Sequence, residues 1–437
     1  MKLTPGTPDA LAPGLRSLSY GIFCWANRNP GALRKIGWVL RRWPFVGGWF
    51  GMAARASAVK AVLTRPNSFS NTAHAGNLSA GDYLIGMDPG PTYAADKSLL
   101  DDRLADLDLK LPADADAEVK RLVNELGALG KNKPFDLIDK YLMWIVLRAM
   151  DPLFGAATPR VAAGVNGNIN DPGLQKQYMM EIRYVAGQLL AGSTATLRVQ
   201  RRAELNSDAL KARIAAVRTD IENAWNVHGR SADFIDRNAV GLAWISHPVT
   251  VQSGALAVQE LLGRPEVHKA LREEARRLQQ IGPDEVWQNK AFRTSVYNHV
   301  LELMRFRPIF PLLARDVPRD TEFVTGARHN ATCPAGGKMA IWSISAMFDP
   351  DVTKDIKPFK DISQFCPTRN WGNQADLRWL MFGYGTRQCP AMKYAVEILT
   401  SALIGLLILP ELKLARGEGK AIAYDGALMS RMLVNFI

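Results

Sequence analysis

The chain of 437 residues carries 54 Lys and Arg against 42 Asp and Glu, a formal net charge of +12, and is 47% hydrophobic. Such a chain can bury a large core, which excludes a disordered or fibrous protein. Four cysteines, Cys24, Cys333, Cys366 and Cys389, are too few and too scattered for a disulfide framework and fit a reducing cytoplasm. The positive balance calls for an acidic partner such as a small electron-transfer protein or anionic lipid. Nucleic acid is disfavoured, because the charges are spread along the chain and form no binding module.

Taken in chain order, the amino terminus shows no signal peptide and no apolar run of about 20 residues, so no transmembrane anchor is expected. Leu33 to Met52 mixes Arg34, Lys35, Arg41 and Arg42 with Trp38, Trp43, Phe45, Trp49 and Phe50. With Pro44 and Gly47-Gly48 it reads as an entry helix packed on the body of the protein, the alternative being a stretch that lies on a membrane surface. Leu174 to Trp225 carries two charged amphipathic helix patterns with a break around Ser193 to Ser207. Asp233 to Leu262 is too long for a strand and nearly uncharged in its middle, so it predicts a helix buried through the core. Pro265 opens the next helix, and another runs to Arg305 and stops before Pro308. From Pro308 to Ile341 short extended pieces with Pro and Gly turns predict a small sheet. With no linker or repeat, the expectation is a single large domain over residues 1–437, mainly α with a small β region.

Two clusters carry chemistry. Glu302 and Arg305 share one helix face three residues apart, in a turn that is otherwise apolar, and a buried pair there needs a further partner, for which Arg369 is the candidate. The other cluster is Phe382-Gly-Tyr-Gly385-Thr-Arg387-Gln-Cys389, followed at once by a helical pattern. Peptide N–H groups at that helix start favour a thiolate, the form that ligates a metal. Phe382 suits a flat apolar ligand, Gly385 a close backbone approach, and Arg387 an anionic edge. Together they suit a haem with its propionates.

From Glu302 onward, Glu302-x-x-Arg305, Pro308-x-x-Pro311-x-x-x-Arg315, Pro334-Ala-Gly, Ala346-x-x-Asp349-Pro350, Phe365-x-Pro-x-Arg369 and Phe382-x-x-Gly385-x-Arg387-x-Cys389 follow one another. In order and spacing this resembles the cytochrome P450 family, over roughly the carboxy-terminal 40% of the chain. The resemblance implies a haem b with Cys389 on the iron, Arg387 and Arg315 near the propionates, and Glu302, Arg305 and Arg369 as a buried structural triad. It also implies a hydrophobic small-molecule substrate and electrons from NAD(P)H through an acidic ferredoxin or flavoprotein reductase.

The sequence departs from the family pattern in three places. Ala391 replaces a glycine after the ligand, and Tyr93 and Lys97 are the nearest equivalents, one residue off register, of two propionate-binding residues four apart. In the long helix above the haem the family's acid–alcohol stretch falls on Ile245-Ser246-His247-Pro248-Val249-Thr250. No register supplies an acid, since the nearest carboxylates on that helix are Asp236 and Glu260. Pro248 lacks an N–H, so a kink is expected there. Ser246, His247 and Thr250 remain as candidate catalytic groups, His247 either as an acid–base group or as a histidine turned away and packed on a neighbouring helix. Trp244, Ile245, Val249, Ile309 and Phe310 are expected to line an apolar substrate pocket, with the segment from Phe69 to Asp88 beside them.

Three functions fit. One is a monooxygenase using dioxygen and a redox partner. The second is a peroxygenase, or an isomerase or dehydratase, that needs no dioxygen proton relay. The third is a haem-binding sensor or carrier without turnover.

Overall fold

The computed structural model describes all residues except 1–12, 43–45, 48–49, 72–77, 80, 155–170, 192–194, 226–231, 327–328, 353–360 and 416–419. It is mostly helical. Helices α1 (Pro13–Arg28), α2 (Pro30–Arg42) and α3 (Ala56–Leu63) lead to α4 (Pro91–Asp106), α5 (Lys110–Gly127) and α6 (Met143–Met150). There follow α7 (Pro172–Ala191), α8 (Leu197–Ala216), α9 (Arg218–Trp225), α10 (Ala232–Leu262), α11 (Pro265–Ile281), α12 (Glu285–Gln288), α13 (Lys290–Phe306), α14 (Ser343–Ala346) and α15 (Met392–Ile408).

Local chemistry explains several boundaries. Pro265 is the first residue of α11, where a missing N–H costs nothing. The Asn289 side chain accepts from the Phe292 N–H at 3.0 Å and starts α13, which ends two residues before Pro308. The break expected over Ser193 to Ser207 is shorter than the composition suggested. The Thr196 hydroxyl caps α8 by accepting from Val199 N–H, and Ala203, Ser207, Leu210 and Ile214 then form a buried stripe at helical spacing.

Leu33 to Met52 is not one element. It holds the end of α2 and then strands β1 (Val46–Gly47) and β2 (Phe50–Ala53). Trp43, Pro44, Phe45 and Trp49 lie outside the described residues. The remaining strands are β3 (Phe135–Asp136), β4 (Leu313–Asp316), β5 (Thr321–Gly326), β6 (His329–Cys333), β7 (Lys338–Ile341), β8 (Leu412–Leu414), β9 (Ile422–Asp425) and β10 (Leu428–Phe436). The extended pieces after Pro308 divide between two sheets: β5 and β6 form a hairpin, while β4 and β7 join β1 and β2 in the order β1-β2-β7-β4. β2 runs parallel to β7, with Phe50 opposite Lys338. A third sheet, β3-β10-β8 with β9 on β10, closes the carboxy terminus.

Two apolar clusters make the core, and α15 lies between them. Ile398, Ala402 and Leu406 join the cluster that contains most of α10, whereas Leu399, Leu403 and Leu407 join the one built on α3, α13 and α14. At their crossing, a Cβ on Gly254 of α10 would come within 2.9 Å of Leu399 and 3.1 Å of Leu142, so any larger residue would have to move both leucines. Cys389 sits at the head of α15 and enters the molecule at this seam.

Candidate active site

The cysteine loop is a tight backbone construction. Gly383 and Gly385 take φ of +88° and +70°, values that L side chains avoid, and Cys389 N–H donates to Phe382 C=O at 2.8 Å. Gly385 lies on the end of α3, where a Cβ would meet the Thr64 methyl at 3.1 Å. From the other side of the chain, Tyr93 of α4 donates its hydroxyl to Thr386 C=O at 2.7 Å. Phe382 packs near Trp379, with ring centroids 6.0 Å apart.

Burial pushes the Cys389 thiol up to about 11, and the opposing hydrogen bond from the Ala391 backbone does not offset it. The peptide N–H acts in the expected direction, towards the thiolate, and burial opposes it. Desolvation outweighs one N–H, and a cation at the sulfur is needed to ionise it. Among the described residues no group of three or more His, Cys, Asp or Glu could hold a metal ion.

Arg387 donates to Asp88 Oδ1 at 2.9 Å and to Met87 C=O at 2.8 Å. Arg315, in β4, donates to Ala314 C=O at 2.7 Å. Its guanidinium is pushed down to about 10, first by burial and then by the Arg387 charge, against the pull of Asp88 and Asp316. Two buried cations thus repel each other across a single shared carboxylate, Asp88, and an added dianionic edge would relieve both. A lone, partly exposed thiol two residues from one member of this cation pair fits haem with its propionates.

The register-shifted pair behaves differently from its expectation. Tyr93 is committed to the cysteine loop, and Lys97 pairs with Asp101 on the same helix, so Lys97 does not reach the Arg387 cluster.

Glu302, Arg305 and Arg369 come together in the core. Arg305 donates to both Glu302 oxygens at 2.8 and 2.9 Å, and Arg369 Nη2 lies 3.8 Å from Glu302 Oε1. Cys366 N–H also donates to Glu302 at 2.9 Å. Phe306, Phe348 and Trp371 stack around the Arg305 guanidinium, which dries the site.

The helix above this framework has one gap. Between Arg237 and Val258 every residue of α10 is buried except Ile245, Ser246 and Val249, which share one face and are partly exposed. Ser246 donates to Leu242 C=O at 2.6 Å. The helix assignment runs unbroken through Pro248, where a kink was expected.

His247 and Trp244 point elsewhere. At ~100° per residue, each lies about 150° around the helix from the centre of the gap. His247 is fully buried, stacked on Phe154 with centroids 5.5 Å apart and edge-on to Tyr178 at 6.0 Å. Its Nδ1 lies 3.1 Å from both Ala243 O and Ser246 Oγ, its Nε2 has no hydrogen-bond partner among the described residues, and burial pushes its pKa down to about 4. That geometry corrects His247 as an acid–base group. A neutral imidazole enclosed by aromatic rings neither reaches the gap nor carries a proton at neutral pH. Trp244 is corrected as a pocket wall, since it is fully buried against Tyr83 at 5.4 Å. Thr250 is buried on the flank of the gap. Ile309 and Phe310 are partly exposed just after α13.

Sequence reasoning missed Asp88 as a partner of Arg387, and also Tyr83. The Tyr83 ring packs so closely on α10 that a Cβ at Gly241 would fall 2.2 Å from it, and its hydroxyl feels the Arg387 charge. Tyr83 therefore joins the cysteine loop to the wall of α10. No local motif in the sequence ties Tyr83 to Gly241 or to Arg387. Part of the segment from Phe69 to Asp88 lies outside the described residues.

Residues 250–429 match the family model for cytochrome P450. Solved structures with this fold include a mutant of P450 EryK in complex with erythromycin B, at TM-score 0.65 and 19% identity over 93% of this chain and 96% of that one. Another is P450BioI in complex with acyl carrier protein ligated to hexadec-9Z-enoic acid, at 0.70 and 16% over 94% and 100%. A third is CYP109E1 from Bacillus megaterium in complex with testosterone, at 0.66 and 15% over 96% and 99%. Among curated proteins, a cytochrome P450 monooxygenase, sttB, of Aspergillus terreus is 29% identical over 104 residues. That match spans about a fifth of each protein, 22% of this chain and 20% of the relative. The carboxy-terminal part of the chain thus matches the cytochrome P450 family model, and the fold is the one these solved cytochromes P450 share.

Proposed function

We propose that this protein is a haem-thiolate oxidoreductase that hydroxylates a hydrophobic small molecule, using dioxygen and electrons from an acidic ferredoxin or flavoprotein that draws on NAD(P)H. The observation that carries it is the lone Cys389 thiol, gripped by a two-glycine loop at the head of α15 with Arg387 two residues before it. The same reading takes residues 1–437 as one domain working in the cytoplasm.

Cys389 would hold the iron, Arg387 and Arg315 the propionates, and Phe382 and Gly385 would flank the ring. When bound, the thiolate-ligated haem supplies an iron primed for O–O cleavage. The chain's own residues do the rest. Ile245 and Val249, with Ile309 and Phe310, offer an apolar wall that selects a hydrophobic substrate and excludes water. Ser246 is the polar side chain of the gap, and its hydroxyl, held on Leu242 C=O, positions a water that carries protons inward. The solved relatives bind ligands as unlike as erythromycin B and testosterone, so the fold does not choose the substrate.

A second reading has one observation in its favour: the gap in α10 exposes a serine and no carboxylate. A peroxide-driven reaction, or an isomerisation or dehydration of an oxidised substrate, needs no relay from dioxygen. Reduced protein under carbon monoxide should absorb at the long-wavelength position of thiolate-bound haem, and Cys389→Ser should lose that band. An imidazole-like band in the wild type rejects both readings. Turnover with hydrogen peroxide and no reductase selects the second, and strict dependence on NAD(P)H with redox partners selects the first.

A further inference from the structure

Fourteen large hydrophobic residues are exposed among the described residues, and six of them, Leu18, Ile22, Trp25, Ile36, Trp38 and Val39, lie within α1 and α2. Single exposed hydrophobics need no explanation, but this cluster does. Both tryptophans among the fourteen are in it.

Each helix is anchored on the described body of the protein through its other face. On α2, Arg41 is buried and donates to Ser345 C=O at 2.7 Å and Phe348 C=O at 3.1 Å. Arg34 stacks on Phe306 and Phe348, and a Cβ on Gly37 would fall 2.4 Å from the Ser345 side chain. On α1, Cys24 is buried, Arg28 donates to Gly426 C=O at 3.1 Å in the β9–β10 turn, and its guanidinium lies 5.0 Å over the Tyr424 ring. Opposite these anchors, Leu18, Ile22 and Trp25 recur at i, i+4 and i+7, and Ile36 and Val39 at i and i+3.

Charge selects the occupant. Residues 13–42 contain Arg16, Arg28, Arg34, Lys35, Arg41 and Arg42 and no Asp or Glu, and Lys35 is exposed beside Ile36 and Trp38. Two helices without acidic residues that combine exposed aliphatic residues, two tryptophans and an outward lysine match an interface of anionic headgroups over acyl chains. Among the described residues no helix is long and apolar enough to cross a membrane, so these helices would lie on the surface of one.

We infer that the outer faces of α1 and α2 dock this protein on an anionic lipid surface. The full chain is mixed with vesicles of phosphatidylcholine alone and with vesicles one third phosphatidylglycerol, then sedimented. Binding is expected to the anionic vesicles and to weaken at high salt. The variants Leu18→Ser/Ile22→Ser/Trp25→Ser and Ile36→Ser/Trp38→Ser should each lower the partition coefficient about tenfold, with unchanged circular dichroism. Lys35→Glu should weaken binding to anionic vesicles only. A protein that stays in the supernatant with anionic vesicles overturns the inference, as does binding that the serine variants leave intact. A dimer in sedimentation velocity that the same variants convert to monomer, without vesicle binding, assigns the face to a second copy and also overturns it.

Discussion

Asp88 and Arg387 are joined by a 2.9 Å contact across 299 residues of sequence, and this ion pair holds the start of α4 against the cysteine loop. Asp88 also accepts from Asn71 N–H at 3.0 Å and from Ser70 Oγ. It is the carboxylate shared by Arg387 and Arg315, so it competes with any anionic cofactor edge for both cations. Asp88→Asn keeps the shape and removes the competing charge. Haem should then leave the protein more slowly, whereas Arg387→Leu should speed its loss by about tenfold. Transfer of haem to an apoglobin measures both rates, and equal rates in wild type and Asp88→Asn would show that Asp88 does not compete.

The triad is a stability element. Glu302→Gln leaves two buried guanidiniums facing an uncharged amide, and removing one partner of a buried pair costs about 3–5 kcal/mol. Denaturant unfolding should show a loss of that size, whereas Glu274→Gln, whose partner Arg277 is exposed, should change stability by less than ~1 kcal/mol.

His247 makes stability depend on pH. Its folded pKa of about 4 lies below the ordinary 6.5, so the unfolded chain binds the proton first. The contribution is complete above pH 6.5 and is lost as pH falls towards 4, with a full size of about 3 kcal/mol. His268, pushed down to about 4 by burial and then by Arg272, acts in the same direction. His247→Leu should flatten the stability profile over this window, and an unaltered slope would mean that His247 is protonated in the fold.

For turnover, the two neighbours should behave oppositely. Ser246→Ala should lower coupled oxidation by a factor on the order of ten or more, because the gap loses its water-holding hydroxyl. His247→Phe keeps a ring against Phe154 and Tyr178 and should leave turnover within about twofold. Equal losses in both variants would return His247 to the chemistry.

What was legible in the sequence follows from how local its cause is. Pro265 and Pro308 bracket α11 and α13 through the missing N–H, and Gly383 and Gly385 announce the cysteine loop through positive φ. By contrast, β2 exists through its pairing with β7, where Phe50 meets Lys338, and no property of four residues reveals a partner so distant. The face of α10 was equally hidden. A helix buried all round has no polar stripe, so nothing in Trp244 to Thr250 says which side meets Phe154 and which meets the gap. Lys97 illustrates the opposite error, since its spacing from Tyr93 looked meaningful while Asp101, one turn on, was the stronger claim on its charge.

The gap in α10 also says where this protein is free to change. Along the helix from Arg237 to Val258, a larger side chain overpacks the core and a smaller one leaves a void. At Ile245, Ser246 and Val249, which are partly exposed, a change of size meets fewer neighbours. Those three positions are the ones on this stretch of helix where residues can be exchanged at least cost to folding, so variation in the proposed pocket wall would collect there while the rest of the helix stays as it is.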